Sequence, residues 1–88
     1  MTGAQDTQRQ VIEVIFARLP VRARKENVNA NTPLFGSGGL NLDSFAVVEL
    51  IALLESQLDI QFSEEDFRTE YFQNIGTLCA LIERRKQS

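Results

Sequence analysis

Apolar residues recur at helical spacing in three separate stretches of the chain. The first stretch covers about residues 7–19, and its apolar positions follow the i, i+3, i+4, i+7 spacing of one helix face: Ile12, Ile15, Phe16 and Leu19. Pro20 restricts the backbone of the residue before it, so the helix should end at Leu19. The pattern predicts an amphipathic first helix.

The second stretch, residues 44–58, carries a stripe of apolar residues that Val48 widens: Val47, Leu50, Ile51, Leu54 and Leu58. Asp43 directly precedes this stretch, and aspartate is a preferred residue at the N-cap of a helix. Its carboxylate would also lie at the positive end of the helix dipole. A second helix that begins at Ser44 is therefore predicted.

The third stretch, about residues 75–85, has an apolar stripe made of Ile75, Leu78, Cys79 and Ile82. Asn74 can cap this last helix.

A shorter element is predicted before the third stretch. Ser63 to Asp66 resembles a capping box before a short helix near residues 64–68, and residues 69–72 can form one more turn.

Residues 20–42 form a long connection, because asparagine, Pro33 and three glycines interrupt any regular pattern. A loop this long in a small domain is often functional. We expect its apolar residues to pack against the helices: Val28, Leu34, Phe35, Leu40 and Leu42. The predicted fold is all-α: a small bundle of three main helices plus one short helix, with a long first loop. The whole chain, 1–88, should be one domain with its core at about residues 7–85.

Composition removes several classes of function. The net charge is −3 and the pI about 4.8, whereas nucleic-acid binding requires a cationic face, so neither DNA nor RNA is an expected partner. With no histidine and one cysteine, the usual ligands of transition metals are missing and no internal disulfide can form. Cys79 lies on an apolar stripe, so we expect a buried and unreactive thiol.

The chain shows no sign of membrane attachment or export. No apolar run approaches the roughly 20 residues that span a bilayer. Residues 1–10 are polar and lack the apolar centre of a signal peptide. We therefore expect a cytoplasmic protein that is not bound to a membrane, and we expect it to be a monomer.

Ser44 stands where the glycine-rich loop meets the second helix. A serine at such a junction is exposed, held at its base and accessible to another protein. Because the chain has no histidine to activate a serine hydroxyl, the position suits modification better than catalysis.

At this junction the chain resembles the acyl carrier protein family, including the related peptidyl carrier domains. The similarity covers about residues 7–85 and rests on five short segments: Gly39-Leu40-Asn41-Leu42-Asp43-Ser44-Phe45, Val48-Glu49-Leu50, Leu54-Glu55, Phe62 with the acids that follow it, and Phe72-Gln73-Asn74-Ile75. The resemblance implies that Ser44, flanked by Asp43, carries 4′-phosphopantetheine through a phosphodiester. The thiol of that arm would hold an acyl or aminoacyl group as a thioester, and the chain itself would not be an enzyme.

Three positions depart from the family pattern, and the first is Asn74, which can cap the last helix where threonine is common. Asn41 stands where many members have glycine, but asparagine tolerates left-handed backbone angles better than most residues. Phe45 stands where leucine is common, and it is bulkier but equally apolar. None of the three departures removes the attachment chemistry.

The resemblance also implies the partners: a phosphopantetheinyl transferase, an enzyme that loads an acyl or aminoacyl group, and a downstream enzyme that uses it. Four acids are candidates to meet basic patches on these partners, although each could equally be part of a solvated helix face: Glu49, Glu55, Glu64 and Glu65. Fatty acid, polyketide, nonribosomal peptide and cell-envelope acylation pathways all stay open. The alternative is an unmodified helical module with the same fold that binds a partner directly.

Overall fold

The computed structural model describes residues 3–21, 23–36 and 38–87. These residues form three α-helices: α1 (Gly3–Arg18), α2 (Ser44–Leu58) and α3 (Ile75–Gln87). Three short 3₁₀ turns lie between them, at Lys25–Asn27, Glu64–Asp66 and Thr69–Phe72. Within the described ranges, the β-type pairing consists of one isolated bridge between Pro33 and Asn74. The predicted all-α class with a long first loop is confirmed.

The boundaries of α2 agree with the prediction. Helix α1 begins earlier than predicted and ends at Arg18, one residue before the predicted end, and α3 ends later. The first turns of α1 pack on α3, where the Thr7 hydroxyl is buried and donates a hydrogen bond to the Glu83 carboxylate. This contact between the two ends of the chain supports a longer helix than the apolar stripe alone indicates.

The predicted short helix near residues 64–68 is instead a 3₁₀ turn at Glu64–Asp66. The Ser63 backbone N–H donates to the Asp66 carboxylate at 2.8 Å, as the predicted capping box requires. The turn cannot continue as a helix because Arg68 has extended backbone angles (φ −116°, ψ 145°). A second 3₁₀ turn, Thr69–Phe72, then packs against α3.

The core lies where α1 packs against α3 and α2. Its fully buried apolar side chains come from all three helices and from the first loop: Val11, Ile15, Leu34, Leu50, Leu54, Ile75, Leu78, Leu81 and Ile82. Burial of each such side chain contributes roughly 1.5–3 kcal/mol. Ile51 and Phe16, both expected in this core, are only partly buried at its edge.

Backbone hydrogen bonds fasten the first loop to the start of α3. The Leu34 N–H donates to the Gln73 carbonyl at 3.1 Å, and the Ile75 N–H donates to the Thr32 carbonyl at 3.0 Å. Leu34 itself is fully buried. The loop is therefore a fixed part of the domain surface rather than a free connection.

The predicted cap of α3 is confirmed. Asn74 Oδ1 accepts from the Thr77 N–H at 2.8 Å, and Thr77 Oγ1 accepts in return from the Asn74 N–H at 3.1 Å. The two residues thus satisfy each other's N–H groups at the point where the loop and the helix meet.

A buried ion pair joins the 3₁₀ turn at residues 64–66 to α3. Asp66 is 2% exposed, and its Oδ1 accepts from Arg85 Nη2 at 2.9 Å. Burial alone would raise the pKa of Asp66, but the Ser63 N–H and the Arg85 guanidinium outweigh it and hold that pKa below its usual value.

None of the helices in the described ranges is long and apolar enough to cross a lipid bilayer.

Candidate functional site

Ser44 is the first residue of α2, and its side chain is exposed. Asp43, the residue before it, has extended backbone angles (φ −98°, ψ 178°). Asp43 Oδ1 accepts a hydrogen bond from the Ala46 N–H at 2.7 Å, which is the geometry of an N-cap. The predicted cap is confirmed, and it holds the turn that presents the Ser44 hydroxyl.

The three residues before the cap are anchored to the rest of the loop. Leu40 and Leu42 are buried, and their N–H groups donate to the carbonyls of Pro33 and Leu34 at 2.9 Å each. Between them, Asn41 has φ +55°, the left-handed conformation that asparagine tolerates. The substitution of asparagine for glycine therefore preserves the turn.

Gly39 is required at this turn for a different reason. A Cβ atom at this position would overlap the carbonyl group of Pro33. That carbonyl accepts the Leu40 N–H, so it cannot move away without loss of the hydrogen bond. The glycine thus allows the two sides of the loop to approach closely behind Ser44.

A mostly apolar cavity of about 490 Å³ opens beside Ser44, between α2, the first loop and the segment that joins the last two 3₁₀ turns. Its lining residues are Phe35, Ser44, Val47, Val48, Ile51, Phe67, Arg68, Thr69 and Phe72. Ser44 and Thr69 supply its hydroxyl groups, and Arg68 is the one charged side chain among these nine. A group attached to Ser44 would therefore start beside an apolar surface that has a single cation.

Large apolar side chains around Ser44 are unusually exposed. Phe45 is 82% exposed, Val48 63%, Phe67 51% and Phe35 40%. Two expectations were wrong here: Val48 does not widen the buried stripe of α2, and Phe35 does not pack into the core as the other apolar loop residues do. Exposed apolar side chains grouped in this way on a small domain are typical of surfaces where another molecule binds.

The four candidate acids fall into two groups. Glu49, Glu64 and Glu65 are exposed. Glu55 is only half-exposed, and its carboxylate accepts the Phe62 backbone N–H at 3.0 Å. Glu55 therefore has a structural role in joining α2 to the segment after it, which the sequence did not indicate.

Cys79 is buried in the core, as expected. Burial, together with the nearby Glu83 carboxylate, raises the pKa of its thiol to about 11. Since the thiolate is the reactive form, this cysteine is inert near neutral pH. In the part of the chain that the structure describes, no three His, Cys, Asp or Glu side chains are grouped as ligands for a metal ion.

Two residues of the site were missed by sequence reasoning. Arg68 and Phe67 reach the cavity from the segment between two 3₁₀ turns, where no apolar periodicity exists to reveal which side chains face α2. An apolar Phe67 directly after a run of acids was the one available signal.

Comparison with known proteins gives one family and two similar folds. The family model described as the phosphopantetheine attachment site matches residues 10–82. A chain from the crystal structure of an engineered Bradyrhizobium japonicum glycine:carrier-protein ligase, complexed with a carrier protein from Agrobacterium tumefaciens and ATP, has a TM-score of 0.75 and 19% identity, over 89% of this chain and 97% of that chain. The holo acyl carrier protein of Nitrosomonas europaea has a TM-score of 0.71 and 24% identity over 100% of both chains. At these identities the likeness concerns the fold. No curated protein matches the chain.

Proposed function

This chain belongs to the phosphopantetheine attachment-site family, so it is a carrier protein whose cofactor is covalently attached 4′-phosphopantetheine, and we propose that Ser44 bears this group. The observation that carries the proposal is the placement of an exposed hydroxyl at the capped start of α2, beside the cavity. Family membership confirms the resemblance seen in the sequence, and members of this family are generally carriers rather than catalysts.

The surroundings of Ser44 fit such a group. Its hydroxyl faces solvent, so a transferase can approach it, and the adjacent apolar surface can receive a flexible arm. In the transfer step the Ser44 oxygen bonds to the phosphorus that carries pantetheine in coenzyme A. The Ser44 proton goes to a base of the transferase, and adenosine 3′,5′-bisphosphate leaves. This chain needs to supply only an accessible oxygen, which agrees with a sequence that has no histidine.

The attachment residue is tested by intact mass and peptide mapping. The apo-protein is incubated with a broad-specificity phosphopantetheinyl transferase and coenzyme A, alongside Ser44→Ala and Ser56→Ala. Ser56 is a matched control because it is an exposed serine on the same helix. The wild type and Ser56→Ala should each gain one phosphopantetheinyl group, and Ser44→Ala should gain none. A gain in Ser44→Ala would refute the assignment, and no gain in the wild type would favour the direct-binding module instead.

The loaded arm would shuttle a thioester-bound acyl or aminoacyl group from a loading enzyme to a downstream enzyme. One similar fold occurs in a structure of a glycine:carrier-protein ligase complexed with a carrier protein, and the other is a holo acyl carrier protein, and both names support a carrier role of this kind. Intact mass of the protein purified from its own cell would identify the cargo. A holo-protein that no acyl-activating or aminoacyl-activating ligase can load would contradict this part of the proposal.

Partner enzymes would contact the surface around Ser44. Phe45 and Val48 provide an exposed apolar surface on α2, and Glu49 adds a negative charge beside them. Exposed charges such as Glu49, Glu64 and Glu65 would accelerate encounter with a basic partner more than they would add affinity. Glu55 is the weakest candidate of the four acids, because its carboxylate already accepts an internal hydrogen bond.

A further inference from the structure

Arg68 occupies an unusual position relative to Ser44. Both residues line the same cavity, Ser44 from the start of α2 and Arg68 from the segment between the last two 3₁₀ turns. Arg68 is exposed, and its extended backbone follows the turn at Glu64–Asp66. Among the described residues that line the cavity, Arg68 is thus the only cation, and it shares this cavity with the residue proposed to carry a phosphate.

Most other cations of the domain are already engaged within it. Among the described residues, ion pairs or hydrogen bonds hold the side chains of Arg24, Lys25, Arg84, Arg85 and Lys86. No ion pair or hydrogen bond in the described part of the chain involves the Arg68 side chain. Its guanidinium is available for an anion that comes from outside the bare polypeptide.

The arm would introduce such an anion at Ser44. A phosphodiester carries one negative charge, and at Ser44 it would lie next to the Asp43 carboxylate, which repels it. A guanidinium presents its N–H groups in a planar fork that matches two phosphate oxygens. A cation in the lining of the same cavity would therefore offset part of the repulsion from Asp43.

We propose that the Arg68 guanidinium binds the phosphate of the arm on Ser44, and so holds the start of the arm over the apolar cavity. This inference rests on the proposed attachment at Ser44. It assigns Arg68 a positioning role: the residue does not take part in the transfer reaction, but it orients the arm after attachment.

The test compares apo and holo forms of the wild type, Arg68→Gln, Arg68→Lys and Arg18→Gln. Arg18 is a matched control because it is also an exposed arginine, but it lies on α1 and does not line the cavity. The first readout is the difference in melting temperature between the holo and apo forms. If the contact forms, Arg68→Gln should lower this difference by roughly 1–8 °C, as expected for an exposed ion pair in a domain of this size, and Arg18→Gln should leave it unchanged.

The second readout is the ³¹P resonance of the arm. Arg68→Gln should move its chemical shift and narrow its line, because the phosphate loses a fixed partner, whereas Arg68→Lys should retain part of the effect. In the wild type, 1 M salt should reduce the stabilisation of the holo form, since the Debye length falls to about 3 Å. The proposal would be overturned if the wild type and Arg68→Gln had the same difference in melting temperature between holo and apo forms and the same ³¹P chemical shift.

A measurement on the wild type alone guards against a variant that does not fold. The Arg68 Nε–H resonance should shift between the apo and holo forms, and an unchanged resonance would refute the contact.

The experiments distinguish failure of the attachment at Ser44 from failure of the Arg68 contact. A wild type that gains no phosphopantetheine, or gains it elsewhere than Ser44, refutes both. A wild type loaded at Ser44 whose Arg68 does not respond refutes the arginine contact alone.

Discussion

The cap at Asp43 is the contact that most directly controls the position of Ser44, and its contribution can be measured. The first N–H groups of α2 have no partners within the helix. Asp43 Oδ1 satisfies the N–H of Ala46 at 2.7 Å. Asp43→Ala removes this acceptor and the negative charge at the start of the helix. Asp43→Asn keeps an acceptor oxygen of the same size and removes only the charge.

The expected magnitudes differ between the two variants. Loss of an N-cap costs about 1 kcal/mol, and loss of a favourable charge at an exposed helix start costs about 0.3–1 kcal/mol. Asp43→Ala should therefore lower the free energy of unfolding by about 1–2 kcal/mol. In a domain of this length that corresponds to a fall in melting temperature of about 4–16 °C. The melting temperature of Asp43→Asn should fall by about 1–8 °C, and by less than that of Asp43→Ala.

The assay is thermal unfolding of the apo-proteins, followed by far-ultraviolet circular dichroism at neutral pH. Ser44→Ala is the matched control. It alters the neighbouring residue but leaves the cap in place, so its melting temperature should stay close to that of the wild type. If Asp43→Ala melts like the wild type, or if Asp43→Asn loses as much as Asp43→Ala, the hydrogen bond to Ala46 does not stabilise the start of α2.

Three further predictions concern the core, the thiol and the acidic surface. Leu54→Ala should lower the free energy of unfolding by about 2–5 kcal/mol because Leu54 is fully buried. The variant should lose most of its cooperative melting, which the control Ser56→Ala should retain. An unaltered melt would show that α2 does not bury this side chain. The pKa of the Cys79 thiol is raised from 9.0 to about 11 in the folded protein. Ionisation of this thiol should therefore leave the free energy of unfolding unchanged below pH 9 and lower it by about 3 kcal/mol as the pH rises through 11. Cys79→Ala should lack this alkaline loss, and an identical pH dependence in wild type and variant would contradict the raised pKa. Glu49→Lys should slow the attachment of phosphopantetheine by the transferase at low salt, and much less at high salt. Glu26 is an exposed acid on the first loop, and Glu26→Lys should not slow this reaction. A defect in Glu49→Lys that salt does not change would argue against an electrostatic contact.

Local patterns were sufficient wherever a feature depends on residues close in sequence. The bounds of α2 follow from the spacing of Leu50 and Leu54 together with a capping residue at Asp43, and both signals lie within one helix. The left-handed turn at Asn41 and the cap at Asn74 follow equally from the conformational preferences of asparagine. Ser44 as the candidate residue also follows from the sequence, because its place between loop and helix needs no knowledge of distant contacts.

The long-range features required the tertiary structure. Helical spacing tells which side of α2 is apolar, but not how far the neighbouring elements cover that side. Val48 lies on the apolar stripe and is nevertheless 63% exposed, because the segments packed against α2 leave an open cavity there. The same limit explains Glu55, whose hydrogen bond to Phe62 depends on how the chain turns after α2.

The sequence by itself therefore determined α2 with its cap, the approximate positions of α1 and α3, the cap of α3 and the serine at the head of α2. The structure decided what surrounds that serine: which apolar side chains stay exposed beside it, and that Arg68 lines the same cavity. The physical reason is that caps and periodicity are short-range properties of one segment. The exposure of these side chains, and the placement of Ser44 and Arg68 in the lining of one cavity, depend on how segments more than 20 residues apart pack together.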